Sequence, residues 1–103
     1  MANALETASV KLVTIIAPCT LEDTILAELV EIGVTGYTTV KVHGHGKHGA
    51  RRLGLFDEPN IRIDTLVSAE LARAILGRMD ARAAESALVA FALDAEAVPR
   101  HHF

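Results

Sequence analysis

Residues 60–79 read NIRIDTLVSAELARAILGRM, and a change of period inside this stretch decides the fold. Up to Val67 the pattern has period two. Ile61, Ile63 and Thr65 fall on one side and Arg62, Asp64 and Leu66 on the other, as in a strand with one face on a core. Ser68 then stands where a helix N-cap belongs, Glu70 falls in the first turn, and Leu71, Ile75 and Met79 recur at helical spacing. A strand therefore feeds directly into a helix.

The same switch occurs earlier in the chain. Residues 9–17 (SVKLVTIIA) are β-branched and apolar and predict a strand that Pro18 closes. Thr20 stands three residues before Asp23 in a capping-box-like arrangement, and Glu22 and Asp23 put negative charge in a first helical turn. Leu21, Ile25, Leu29 and Ile32 share one helical face over residues 21–32, and Gly33 fits the position just past a helix end. Residues 36–43 (GYTTVKVH) predict a second strand, rich in β-formers. Glycines and Pro59 punctuate residues 44–60, a loop of about fifteen residues, long enough to be functional. Residues 86–93 (SALVAFAL) predict a fourth strand. The order βαββαβ is that of an α+β, ferredoxin-like sandwich, an antiparallel sheet with two helices on one face. Its other face needs a cover, and self-association is the obvious source of one.

A chain of 103 residues, half of them hydrophobic and with mean hydropathy +0.31, is expected to form one domain over residues 1–103. No apolar stretch approaches the ~20 residues of a membrane span, and no secretory pattern opens the chain. The lone Cys19 cannot form an internal disulfide, so a reducing cytoplasm is the expected compartment. Net charge is −3, which argues against a general nucleic-acid binder. Lys41, Lys47, Arg51 and Arg52 nevertheless form a basic segment free of acidic residues, and a basic segment on an acidic body points to a small anionic ligand.

The sharpest local feature is Gly44-His45-Gly46-Lys47-His48-Gly49. Glycines let backbone N–H groups turn toward an anion, and Lys47, Arg51 and Arg52 add charge-assisted contacts to phosphate. A Gly-rich turn with solvated basic residues has the same composition. It is neither a dinucleotide fingerprint nor a Walker A loop, because no helical pattern follows. His43, His45 and His48 are weak metal candidates, joined by His101 and His102 at the tail, but no carboxylate or cysteine sits at ligand spacing among them. Cys19 reads as a packed small residue. Asp64, on an otherwise apolar strand, requires a partner: Arg62, a ligand hydroxyl or a neighbouring subunit. No Ser/His/Asp order, HExxH or deaminase signature occurs, so catalysis is not expected.

Taken in order, these residues resemble the PII signal-transduction superfamily over most of residues 10–102. Ile15-Ile16-Ala17-Pro18 with Leu21-Glu22-Asp23 is similar to its first strand and helix opening. Ile32-Gly33-Val34-Thr35-Gly36-Tyr37-Thr38 is the most specific match, to its helix end and second strand. Val42 to Lys47 stand at the entry to its long T-loop, Asn60 to Asp64 at the exit, and Val98-Pro99-Arg100 at its basic C-terminal stretch. The resemblance implies a homotrimer that binds adenine nucleotide in clefts between neighbours. Gly36 and Thr38 would lie near adenine, Gly44, His45, Gly46 and Lys47 along the phosphates, Asp64 near base or ribose, and Arg100 toward phosphate; Arg62 completes the ligand-binding set. Residues 45–59 would be the T-loop that reads out the ligand to a protein partner.

Three departures qualify that resemblance. Arg82-Ala83-Ala84-Glu85-Ser86 stands where the family has a glycine-containing B-loop, which shifts the expected ligand from ATP toward ADP, AMP or cyclic AMP. The T-loop is short and has His48 near the position of the glutamine that helps bind 2-oxoglutarate and Mg. The sole tyrosine, Tyr37, lies on the second strand, not on the loop. The overall likeness is to PII-like proteins of inorganic-carbon uptake, including the carboxysome-associated kind, which implies bicarbonate as a second signal and a transporter as partner. No cofactor beyond the regulatory ligand is expected. The alternative is a metal-responsive relative using the loop and tail histidines; an enzyme using Asp64 and a histidine as acid and base is a third reading.

Overall fold

The computed structural model describes residues 4–43 and 59–103. Strands β1 (Ala8–Pro18), β2 (Thr38–Val42), β3 (Asn60–Val67) and β4 (Val89–Ala97) and helices α1 (Glu22–Ile32) and α2 (Ala69–Arg82) follow in the order β1-α1-β2-β3-α2-β4. The sheet runs β2-β3-β1-β4 with every pairing antiparallel. This is the ferredoxin-like α+β arrangement that the two strand-to-helix switches predict.

Alternation along the strands divides the sheet into two unlike faces. Val13, Ile15 and Ala17 of β1 and Ile61 and Ile63 of β3 pack against Ile25 and Leu29 of α1 and Ala72, Ile75 and Met79 of α2. Ile15, Ile25, Leu29, Ile63 and Ile75 are fully buried, and each such side chain contributes roughly 1.5–3 kcal/mol relative to exposure. A buttress outside this core ties the helices together. Arg82 of α2 donates from Nε and Nη2 to the two carboxylate oxygens of Glu28 on α1, at 2.9 and 2.8 Å, and Arg78 reaches Glu28 and Glu31 at 3.4 and 3.0 Å. Arg82 thus works between the helices. Its hydrogen bond is the main cause holding the Glu28 carboxyl below its ordinary range, opposed by burial and aided by the charge of Arg82 and by Arg78.

Among the described residues no helix covers the opposite face. Leu66 of β3, Leu12 of β1 and Leu93 of β4 stand in one cross-strand row, since Leu12 pairs with both. Leu66, Phe91, Val40, Val89 and Leu93 keep from 39% (Phe91) to 56% (Leu93) of their surface exposed. Between them sits one polar island, described below.

Boundaries differ from the sequence reading at several points. The fourth strand begins at Val89, not Ser86, and continues to Ala97. Its polar extension is held by cross-strand pairing: Lys11 pairs with Asp94, and Thr7 Oγ1 donates to Glu96 at 3.1 Å. Helix α1 starts at Glu22, preceded by a 3-10 turn over Cys19–Leu21. Thr20 lies inside that turn, the N-cap is Leu21, and no side chain caps the helix, so the expected capping box does not form. Strand β2 begins at Thr38, leaving Tyr37 just ahead of it and exposed. Ser68 does cap α2, its hydroxyl accepting from the Leu71 N–H at 3.1 Å.

Candidate functional site

The turn after α1 sets one wall of the site. Gly33 closes the helix at φ 120°, a conformation that side-chain-bearing residues rarely adopt. The Val34 N–H then returns to the Leu29 carbonyl at 2.9 Å, and Val34 is buried. This directs Thr35, Gly36 and Tyr37 over the end of β3, where the buried Thr65 hydroxyl donates to the Gly36 carbonyl at 2.6 Å. A Cβ on Gly36 would meet nothing within 4 Å, so the chain runs past an open space.

The polar island lies beside that space. Thr38, Asp64, Thr14 and Phe91 form a row across all four strands. The fully buried Thr14 hydroxyl donates to Asp64 Oδ1 at 2.6 Å, and Arg62 Nε lies 3.1 Å from Oδ2 and 3.3 Å from Oδ1. Of the partners the sequence leaves open for Asp64, Arg62 is therefore present within the chain, and Thr14 joins it. A carboxylate has about four lone-pair positions, so Asp64 keeps acceptor capacity on its exposed side.

These elements enclose a cleft of about 510 Å³ lined by Leu12, Thr35, Gly36, Tyr37, Thr38, Asp64, Thr65, Leu66, His102 and Phe103. The size is that of a small-molecule site. Leucines form its apolar floor, Thr38 and Asp64 supply a hydroxyl and a carboxylate, and Tyr37, His102 and Phe103 supply rings. The structure thus brings together Gly36, Thr38 and Asp64, which the sequence reading grouped from separate segments. Arg62 reaches the site through Asp64. Arg100 does not line the cleft; its Nη1 pairs with Glu6 Oε1 at 2.9 Å, both side chains being exposed.

Gly44, His45, Gly46, Lys47, His48, Arg51 and Arg52, and with them nearly all of the expected T-loop, lie outside the described residues. His43 follows β2 and is exposed. Among the described residues, no group of three or more His, Cys, Asp or Glu side chains could hold a metal ion. Cys19 is partly buried against the core, and its N–H donates to the Pro59 carbonyl at 3.0 Å. Among the described residues no helix is long and apolar enough to cross a membrane. A second groove of about 510 Å³ lies between α2 and β4, lined in part by Arg73, Gly77, Leu88 and Ala90.

Sequence reasoning missed His102 and Phe103 as cleft residues. They sit on the 3-10 turn over Arg100–His102, secured by the His102 N–H to the Pro99 carbonyl at 3.0 Å and the Phe103 N–H to the Arg100 carbonyl at 3.1 Å. The available signal was scarcity: Tyr37 is the only tyrosine, there are three phenylalanines and no tryptophan, so an aromatic on a polar tail stands out.

The family model for nitrogen regulatory protein P-II matches residues 10–102. The chain belongs to the P-II family. Among solved structures, a P-II-like signaling protein from Thermus thermophilus superposes with a TM-score of 0.79 at 31% identity, covering 96% of this chain and 99% of that one. CPII from Thiomonas intermedia, bound to ADP and bicarbonate, gives a TM-score of 0.79 at 27% identity, covering 91% and 93%. The same protein bound to ADP, AMP and bicarbonate gives 0.77 at 25%, covering 89% and 96%. Comparison with curated protein sequences gave no match. The matched residues 10–102 of this P-II family chain take in the segment Gly33 to Thr38 that forms one wall of the cleft.

Proposed function

We propose that this P-II family member is a sensor that binds an adenine nucleotide, ADP or AMP, in its cleft, with bicarbonate as a second ligand. The observation that carries the reading is the cleft in which Gly36, Thr38 and Asp64 meet beside an open space of nucleoside size. Asp64 accepts from ribose hydroxyls or a base amino group. CPII, bound to ADP and bicarbonate, supports the ligand class. Lys47, with Gly44, His45 and Gly46, and Arg100 supply the phosphate contacts, Arg100 exchanging Glu6 for the ligand.

Three copies form the working unit. The row Leu66–Leu12–Leu93 and the exposed Phe91 and Val89 make an apolar face too extensive to leave in water, and a closed symmetric assembly covers it. The cleft opens beside that face, so a neighbour completes it. Ligand binding changes affinity for a protein partner, an inorganic-carbon transporter or a carboxysome component, by the ligand's differential affinity for the partner-binding and non-binding states of the protein. No bond need be broken; the protein acts as a sensor and not as an enzyme. Titration with ADP, AMP, ATP and cyclic AMP, each with and without bicarbonate, tests this. Saturable binding weakened by Lys47→Ala and by Asp64→Ala supports it, and no binding of any nucleotide contradicts it.

A further inference from the structure

Three rings converge on the cleft: Tyr37 from the turn before β2, and His102 and Phe103 from the tail. Among the described residues the chain carries three phenylalanine or tyrosine side chains, Tyr37, Phe91 and Phe103, and two of them line this one space. Folding that concentrates such scarce side chains at a polar surface opening is not explained by core packing, because Tyr37 and Phe103 remain 45% and 47% exposed. The tail rings are also ordered relative to one another. The His102 and Phe103 centroids are 5.1 Å apart with their planes at 82°, an edge-to-face pair. The two rings are in edge-to-face contact, and both residues line the opening.

The turn that carries them closes on its own backbone, with the His102 and Phe103 N–H groups on the Pro99 and Arg100 carbonyls. The rings border the same open space as Gly36 and Thr38.

We propose that His102 and Phe103 are the base-stacking wall of the cleft, the residues that select a planar heterocycle over other phosphorylated ligands. The proposal rests on the nucleotide reading above and adds to it the assignment of the wall. Stacking on an aromatic face is tolerant of base identity, so the wall confers preference for a nucleotide over a sugar phosphate, and Asp64 and Thr38 are left to discriminate among bases.

The test uses the full chain and ADP as probe. The double variant His102→Ala/Phe103→Ala is expected to raise the ADP Kd by about tenfold or more, in line with loss of a stacked base, whereas the single variant Phe103→Trp keeps the parent affinity. With no other tryptophan present, the Phe103→Trp emission should also be quenched on ADP addition and unaffected by ribose 5-phosphate. Parent binding with a Kd within twofold in the double variant would overturn the wall and leave the nucleotide reading standing. No ADP binding by the parent would overturn both. A double variant whose oligomeric mass differs from the parent's would assign the rings to a subunit contact and overturn the wall as well.

Discussion

Thr14 and Asp64 face each other across β1 and β3, and the hydroxyl of a fully buried threonine donates to the carboxylate at 2.6 Å. The pair explains how a charged residue is retained on a sheet face that also carries Leu12, Leu66, Phe91 and Leu93. Arg62, two residues along the same strand face, balances the charge.

Removing the carboxylate leaves the Thr14 hydroxyl buried without its acceptor. Hydrogen bonds to charged groups contribute roughly 1.5–3 kcal/mol, and Asp64 is partly solvated, so Asp64→Ala should cost about 1–2 kcal/mol. Urea denaturation at pH 7 measures it. An unchanged midpoint would mean that solvent replaces both contacts without loss.

The Glu28–Arg82–Arg78 buttress predicts a pH dependence. The folded-state pKa of Glu28 is lowered from 4.5, first by the Arg82 hydrogen bond. A depressed carboxyl contributes stability that is present above the unfolded-state value and is lost as pH falls through the folded-state value. The melting temperature of the parent should therefore fall as pH drops below about 4.5, and Glu28→Gln should flatten that part of the profile. Equal acid slopes in the two proteins would show that the buttress adds nothing.

How much of this was legible before the fold was known depends on whether a residue's role is set locally. Asn60–Val67 carried its own solution, because alternation separates Ile61, Ile63 and Thr65 from Arg62, Asp64 and Leu66, and Ser68 caps the next helix by a local bond. The end of β4 did not. Asp94 and Glu96 lie past the end of the strand predicted over residues 86–93, and they join β4 where Lys11 and Thr7 come across from the other end of the chain. Thr20 failed as a cap because the geometry of Cys19–Leu21 had already committed it to a 3-10 turn. In the cleft, Gly36, Thr38 and Asp64 were legible through family resemblance, whereas His102 and Phe103 reach it only by tertiary folding of the tail.

Two glycines should respond oppositely to alanine. At Gly33 the φ of 120° excludes a comfortable side chain, although a Cβ would sit an ordinary 3.6 Å from Leu71, so Gly33→Ala should cost about 1–3 kcal/mol of backbone strain. Gly77 lies within α2 and a Cβ there meets nothing within 4 Å, so Gly77→Ala should stabilise by about 0.4–1 kcal/mol. Thermal melts of the two variants check the signs.

The leucine row predicts what assembly requires. Leu93→Lys places a charge in the row formed with Leu12 and Leu66. Since Leu93 is 56% exposed in the single chain, the variant should keep its circular dichroism spectrum but elute as a monomer by light scattering. A variant that stays assembled would move the interface elsewhere.

The most direct measurement is calorimetric titration of the assembled protein with ADP, with stoichiometry read per chain and oligomeric mass measured on the same sample. Saturable binding is expected at one ADP per chain on a trimer, with an affinity that changes on adding bicarbonate and falls in Asp64→Ala. Absence of ADP binding by a correctly folded trimer would contradict it.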